Sequence, residues 1–260
     1  MSTILSSLRN TIISGLILTL LMLLTFYNWG SVDSSSLTDQ AFYSFVFRWL
    51  HVLSAIMWIG LLWYFNFVQI PNMPNIPDDQ KPAISKVIAP AALWWFRWGA
   101  MATVATGLIL GYLNGYLESA MTLGFRGDGL PQHIAIGIGM WLGIIMWFNV
   151  WFVIWPNQKK VIAGAPDAAD AGAKAGLASR TNTLFSLPML YLMVYSAHGG
   201  GLPMIAATDM TGLWVGIAII LLIEANALFG KMNPLITSVK AVIHSGVLLT
   251  VIFGALVHYL

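Results

Sequence analysis

The sequence contains no cysteine and very little charge. Without cysteine there is no disulfide, no thiolate metal site, no iron–sulfur cluster and no Cys-x-x-Cys-His attachment of haem c. Charged residues make up 8% of the 260, against roughly 25% in an ordinary soluble domain, with 10 acids and 12 bases. So few charges cannot cover a globule of this size, which excludes a soluble enzyme, a disordered segment and a nucleic-acid binder. The net charge of +2 is too small to point to a polyanion partner, although the isoelectric point is about 8.9. What is plentiful is apolar: 58% hydrophobic residues and a mean hydropathy of +0.78, the composition of an integral membrane protein. Chemistry is left to five histidines, a few intramembrane charges, and a load of 12 Trp, 13 Phe and 13 Met.

A bilayer core of about 30 Å requires about 20 apolar residues per helix. Runs of that kind lie at 11–29, 42–70, 88–112, 132–155, 182–198, 211–230 and 240–260. They predict an all-α, polytopic transmembrane bundle of about seven spans, forming a single domain over 1–260. Turn chemistry separates them, at Pro71–Pro77, Gly127–Pro131, Gly199–Pro203 and Asn233-Pro234. The first run is longer than the apolar core of a signal peptide and no small-x-small cleavage site follows, so it reads as a retained helix. With the N-terminus inside, Arg9, Lys81, Lys86, Lys159, Lys160, Lys174, Arg180, Lys231 and Lys240 fall on the inner side and only Arg126 in the outer loops. That asymmetry places the C-terminus outside. The Ala- and Gly-rich stretch Ile162–Leu177 is expected to extend a short cytoplasmic helix into the fifth span.

Seven crossings and a direction give each polar residue a depth. Arg48 and His51 lie about 10–15 Å below the outer end of span two, at 1.5 Å per residue. His133 opens span four, His198 closes span five and His258 nearly ends span seven, all on the outer side. A metal-porphyrin between helices needs two facing imidazoles and cations for its propionates. His51 paired with His133 or His198 meets the first need, and Arg48, one turn before His51, meets the second. A lone membrane histidine usually just hydrogen-bonds a neighbouring helix. Four in the outer half of a chain so poor in ionisable groups favour a cofactor instead. Nearer the inner face, Arg97 and Glu224 match in depth and oppose in charge. They are expected to form an ion pair between spans three and six or, with His244, a path for a polar substrate or proton. Gly107/Gly111/Gly115, Gly139/Gly143 and Gly212/Gly216 have the four-residue spacing that lets helices approach closely. Trp94, Trp95, Trp151 and Trp155 fit an interfacial belt, whereas the deeper Trp58 and Trp141 fill core or flank a flat ring.

The string Arg48-Trp-Leu-His-Val-Leu-Ser-Ala-Ile-Met-Trp-Ile-Gly60 resembles a helix found in a broad group of small bacterial membrane proteins that bind haem b or copper. Within that group, three further strings resemble the membrane domain of the bacterial membrane-bound urate oxidase (urate hydroxylase) family. They are Trp94-Trp-Phe-Arg-Trp-Gly-Ala-Met101, Met146-Trp-Phe-Asn-Val-Trp-Phe-Val-Ile-Trp-Pro-Asn-Gln-Lys-Lys160 and the run Asn182–His198. The likeness extends from about residue 42 to 260. It implies a multi-pass protein of the bacterial inner membrane that oxidises urate to 5-hydroxyisourate and passes electrons to cytochrome c. Longer members carry a C-terminal cytochrome c domain; this sequence ends at Leu260 and has no cysteine to attach haem c, so a separate cytochrome or respiratory complex is the expected electron acceptor.

Three functions remain open at this point. The first is an oxidoreductase with one or two haem b groups and a small purine substrate, the flat urate anion meeting Arg97 or Arg48 beside Trp faces. The second is a cytochrome b-type electron-transfer subunit without a substrate of its own. The third is a transporter or metal-handling protein using His and Met, against which stand the dispersed methionines and the lack of a broken-helix pair.

Overall fold

The computed structural model describes residues 2–29, 39–199 and 210–259, with side chains described over 4–24, 39–199 and 210–257. Every regular element among them is helical. After a single turn, Ser2–Leu5, come α1 (Leu8–Trp29), α2 (Gln40–Asn75), α3 (Ala89–Leu113), the short α4 (Leu117–Met121), α5 (Pro131–Ala163), α6 (Ala168–His198), α7 (Thr211–Phe229) and α8 (Val239–Tyr259). The chain divides into two compact units, Met1–Val46 and Phe47–Leu260. The first holds α1, whose leucines and isoleucines are exposed along its length, and the start of α2.

All seven expected spans are helices, yet only α2, α5, α7 and α8 are both long and apolar enough to cross a membrane among the described residues. The described part of α1, Leu8–Leu24, is apolar but shorter. α3 is lowered by Arg97, and α6 by Arg180, Asn182 and His198. The exposed faces of α2, α7 and α8 carry large apolar side chains such as Ile56, Leu222 and Val251, which are 66, 71 and 63% exposed, as lipid-facing helices do.

Two helices overrun their expected ends. Sequence reasoning stopped α2 near Pro71 and α5 before Pro156, whereas the chain stays helical to Asn75 and Ala163. The reason is a widened, π-helical turn before each proline, at Tyr64–Gln69 and Asn149–Ile154, with a third at Ala83–Ile88 before Pro90. In each, the residue preceding the proline donates five residues back: Ile70 to Phe65, Trp155 to Val150 and Ala89 to Ile84. A proline cannot donate and its ring crowds the carbonyl four residues earlier, so an extra residue in the turn lets the helix run through it. Asn72 and Asn157, each just after its proline, donate Nδ2 to the carbonyls of Val68 and Val153 at 2.8 Å. α5 ends at Gly164, whose φ of 64° is the left-handed conformation that closes a helix.

α6 is the spine of the second unit and packs along α5 and α8, and on α7. It starts at Ala168, fourteen residues before the expected span, as one helix continuous with the Ala- and Gly-rich stretch. Arg180, expected on the inner surface, is therefore carried into the bundle and is 8% exposed. Residues 200–203 of the expected Gly/Pro break lie outside the described residues.

Candidate functional site

α2, α3, α5 and α6 enclose a cavity of about 920 Å³, at the large end of what small-molecule and cofactor sites occupy. Its wall includes Arg48 and His51 from α2, Gly107 from α3, His133 from α5, and His198 from α6. Three histidines far apart in sequence thus share one space. Trp58 also lines it, is 1% exposed, and has a buried indole N–H without a hydrogen-bond partner. No group of three His, Asp or Glu among the described residues is tight enough to hold a bare metal ion.

The two better-anchored imidazoles are held in the same sense. His51 Nδ1 lies 2.9 Å from the Thr103 carbonyl and 3.2 Å from the Thr106 hydroxyl. A carbonyl only accepts, and the Thr106 hydroxyl already donates to Ala102 and Thr103, so Nδ1 must carry the proton. Nε2 is then the lone-pair nitrogen, and no described residue bonds to it. The ring packs against Gly107, where a Cβ would come within 3.0 Å of Cε1 and 3.3 Å of Nδ1. His133, at the start of α5, stacks on Tyr116 with ring centres 5.4 Å apart and gives its Nδ1–H to Asp128 at 2.8–2.9 Å. Its Nε2 is likewise open. An imidazole fixed through Nδ1 by a carbonyl or carboxylate, with Nε2 free, is the usual preparation of a metal-ligating histidine.

The other expected site residues fare differently. Arg48 is exposed and borders the cavity, and His198 is exposed at the end of α6 on the same wall. The side chain of His258 lies outside the described residues. His244 is exposed on α8 and does not line the cavity. The expected ion pair between Arg97 and Glu224 does not form. Arg97 stacks over Trp155 at 3.8 Å and near Trp151 at 5.3 Å, while Glu224 accepts from Asn149 at 3.0 Å. α5 supplies both partners from different faces, so charges that match in depth never meet. Trp141 neither fills core nor lines the cavity; it donates to the Met121 carbonyl at 3.1 Å and ties α5 to α4.

Sequence reasoning missed a network of amides and hydroxyls across the bundle. Asn66 donates to Ser179 at 2.8 Å, Trp63 to Ser186 at 2.9 Å, and Asn149 to Asn182 at 3.0 Å, joining α2 and α5 to α6. The signal was present as single polar residues in apolar runs, Phe65-Asn66-Phe67 and Phe148-Asn149-Val150.

Asp128 lies outside the spans, and the His133 N–H, with the Leu130 amide, holds its carboxyl down at about 2. A carboxylate with a depressed value stabilises the fold above about 4, its ordinary value, and that contribution disappears as pH falls through about 2. The Asp128→Asn variant is therefore expected to lose less stability than the parent between pH 4 and pH 2. Acid titrations of near-UV circular dichroism would compare them, and identical profiles would show that the contact does not contribute.

Fold and cavity together define a membrane-type, all-α bundle with a histidine-lined chamber among four helices. Residues 131–257 match the family described as urate oxidase N-terminal, and over that stretch the chain is urate oxidase N-terminal-like. The matched stretch spans α5 to α8, and so holds His133, His198, Asn149 and Glu224, while Arg48 and His51 precede it. No curated protein and no solved structure matches the chain.

Proposed function

We propose that this protein is a haem b oxidoreductase of the bacterial inner membrane that oxidises urate, or a purine of that class, and delivers the electrons to a cytochrome c or respiratory partner. The observation that carries the reading is His51: its proton is committed to Thr103, its Nε2 is open, and it shares a chamber of about 920 Å³ with two further imidazoles. The family match over 131–257 supports urate as the substrate class.

The residues fit the cofactor. His51 would ligate through Nε2, His133 or His198 would supply a second imidazole, and Arg48 would offer a cation for the propionates. The orphaned N–H of Trp58 offers a donor inside an otherwise apolar wall. Bound there, haem b supplies a one-electron redox centre. Thr103 and Thr106 fix the tautomer and plane of the His51 ring, and Asp128 does the same for His133, making each a stronger donor. Oxidation of urate to 5-hydroxyisourate consumes one water and releases two protons and two electrons.

The test is an optical spectrum of the purified protein as isolated, after dithionite and after urate. Haem absorbance that urate reduces is the expected result. A haem that only dithionite reduces would make the chain an electron carrier without its own substrate. A colourless folded preparation from haem-replete cells would sink the cofactor and leave the transporter reading.

A further inference from the structure

Three polar side chains from three helices meet in a second place, and none of them lines the histidine chamber. Asn149, in the π-helical turn of α5, donates its amide hydrogens to Glu224 Oε2 of α7 and to Asn182 Oδ1 of α6, both at 3.0 Å. Asn182 in turn donates to the Met146 carbonyl at 2.9 Å. Asn149 and Asn182 are 0% exposed and Glu224 is 9% exposed. Two acceptors in this cluster are buried without a hydrogen bond, Glu224 Oε1 and Asn149 Oδ1.

Among the described residues no cation pairs with the carboxyl. Arg97 on α3, Arg180 on α6, and Lys240 and His244 on α8 form no ion pair with it. A carboxylate with a bare oxygen, held in an apolar bundle with no counter-charge, is a costly arrangement. A single proton resolves both defects. On Oε1 it neutralises the acid and creates a donor, and the acceptor still open on the amide that already holds Oε2 is Asn149 Oδ1. Acid and amide then close a ring of two hydrogen bonds, while the other amide hydrogen of Asn149 stays on Asn182.

We propose that Glu224 is a proton-binding site, filled at neutral pH, with Asn149 as its second half. Glu224 sits five residues before the end of α7, about 8 Å along the axis from the end that Lys231 follows, so exchange is with that face. The site stands independently of the oxidoreductase reading. Within that reading it gives the protons of urate oxidation a place to reside.

Infrared spectroscopy of the full chain in lipid nanodiscs at neutral pH tests it. The expected result is a carboxylic-acid C=O band that shifts in D2O and vanishes in Glu224→Gln. Glutamine is the neutral isostere, and its amide can reproduce both hydrogen bonds to Asn149. Glu224→Gln should therefore melt with the parent, whereas Glu224→Ala, which leaves Asn149 unpaired, should melt lower. Absence of a Glu224-dependent acid band would overturn the proposal, because the carboxyl would then be charged. A Gln variant that fails to fold, or melts as low as the Ala variant, would overturn it equally. Melting that rises with sodium but not choline in the parent, and not in Glu224→Gln, would replace the proton with a metal cation.

Discussion

His51→Ala is expected to purify as a folded membrane protein that carries little or no haem, while His244→Ala retains the parent's full complement. The first removes the imidazole whose Nε2 opens on the chamber; the second removes an exposed side chain on α8 that does not line it. Thr106→Val should fall between, because the Thr103 carbonyl still holds Nδ1 at 2.9 Å after the hydroxyl at 3.2 Å is gone. Loss of such a supporting contact weakens ligation by roughly 10- to 100-fold. Gly107→Val probes the same ring through packing. A Cβ at Gly107 already crowds Cε1 and Nδ1, so the larger side chain must displace the imidazole and lower haem content without removing any of its hydrogen-bond partners. Haem per protein, read by pyridine haemochrome absorbance against protein mass, compares all four. Equal loading in His51→Ala and the parent would remove His51 from the site.

The features of this site that were legible in sequence are those that depth along a helix determines. His51 and His133 lie toward the start of α2 and α5 and His198 at the end of α6, and the fold gathers them around one chamber. Depth does not determine which face of a helix a residue occupies, and there the reading failed. Arg97 and Glu224 share a depth but turn to different partners on α5, one to Trp155 and the other to Asn149. The π-helical turns add a second obstacle to reading faces from sequence. Each adds a residue to one turn and rotates everything beyond it, so a 3.6-residue periodicity carried across Asn149–Ile154 points to the wrong face. The proline that forces the turn is visible in the sequence, but it reads equally well as the end of the helix, which is how α2 and α5 came to be cut short.

Glycine spacing gives a sharper contrast, and with it the largest stability effect expected in the chain. The four-residue pairs mark Gly139, where a Cβ would come within 3.2 Å of Leu192 of α6, and Gly216, where a Cβ would come equally close to Phe253 of α8. They also mark Gly143, where a Cβ would meet no neighbour within 4 Å and which lines the chamber instead. The tightest glycine belongs to no such pair. A Cβ on Gly137 would collide with the Ala120 carbonyl oxygen and lie 3.0 Å from the carbonyl carbon and Cα. These are backbone atoms of α4, and Ala120 is 0% exposed, so neither partner can yield by a rotamer change. Gly137→Ala is therefore expected to destabilise the protein by about 3 kcal/mol, the upper end of overpacking in a filled core. Six residues along the same helix, Gly143→Ala meets open space and should be neutral or stabilise by about 0.5–1 kcal/mol, the ordinary gain of alanine over glycine within a helix. Thermal unfolding of the two variants in the same detergent measures the difference. Because Gly137 sits four residues beyond His133, displacement of α4 also disturbs the Asp128 and Tyr116 contacts that hold that ring. Gly137→Ala should accordingly lose haem as well as stability. If Gly137→Ala and Gly143→Ala melt together, α4 does not pack against α5 at the backbone.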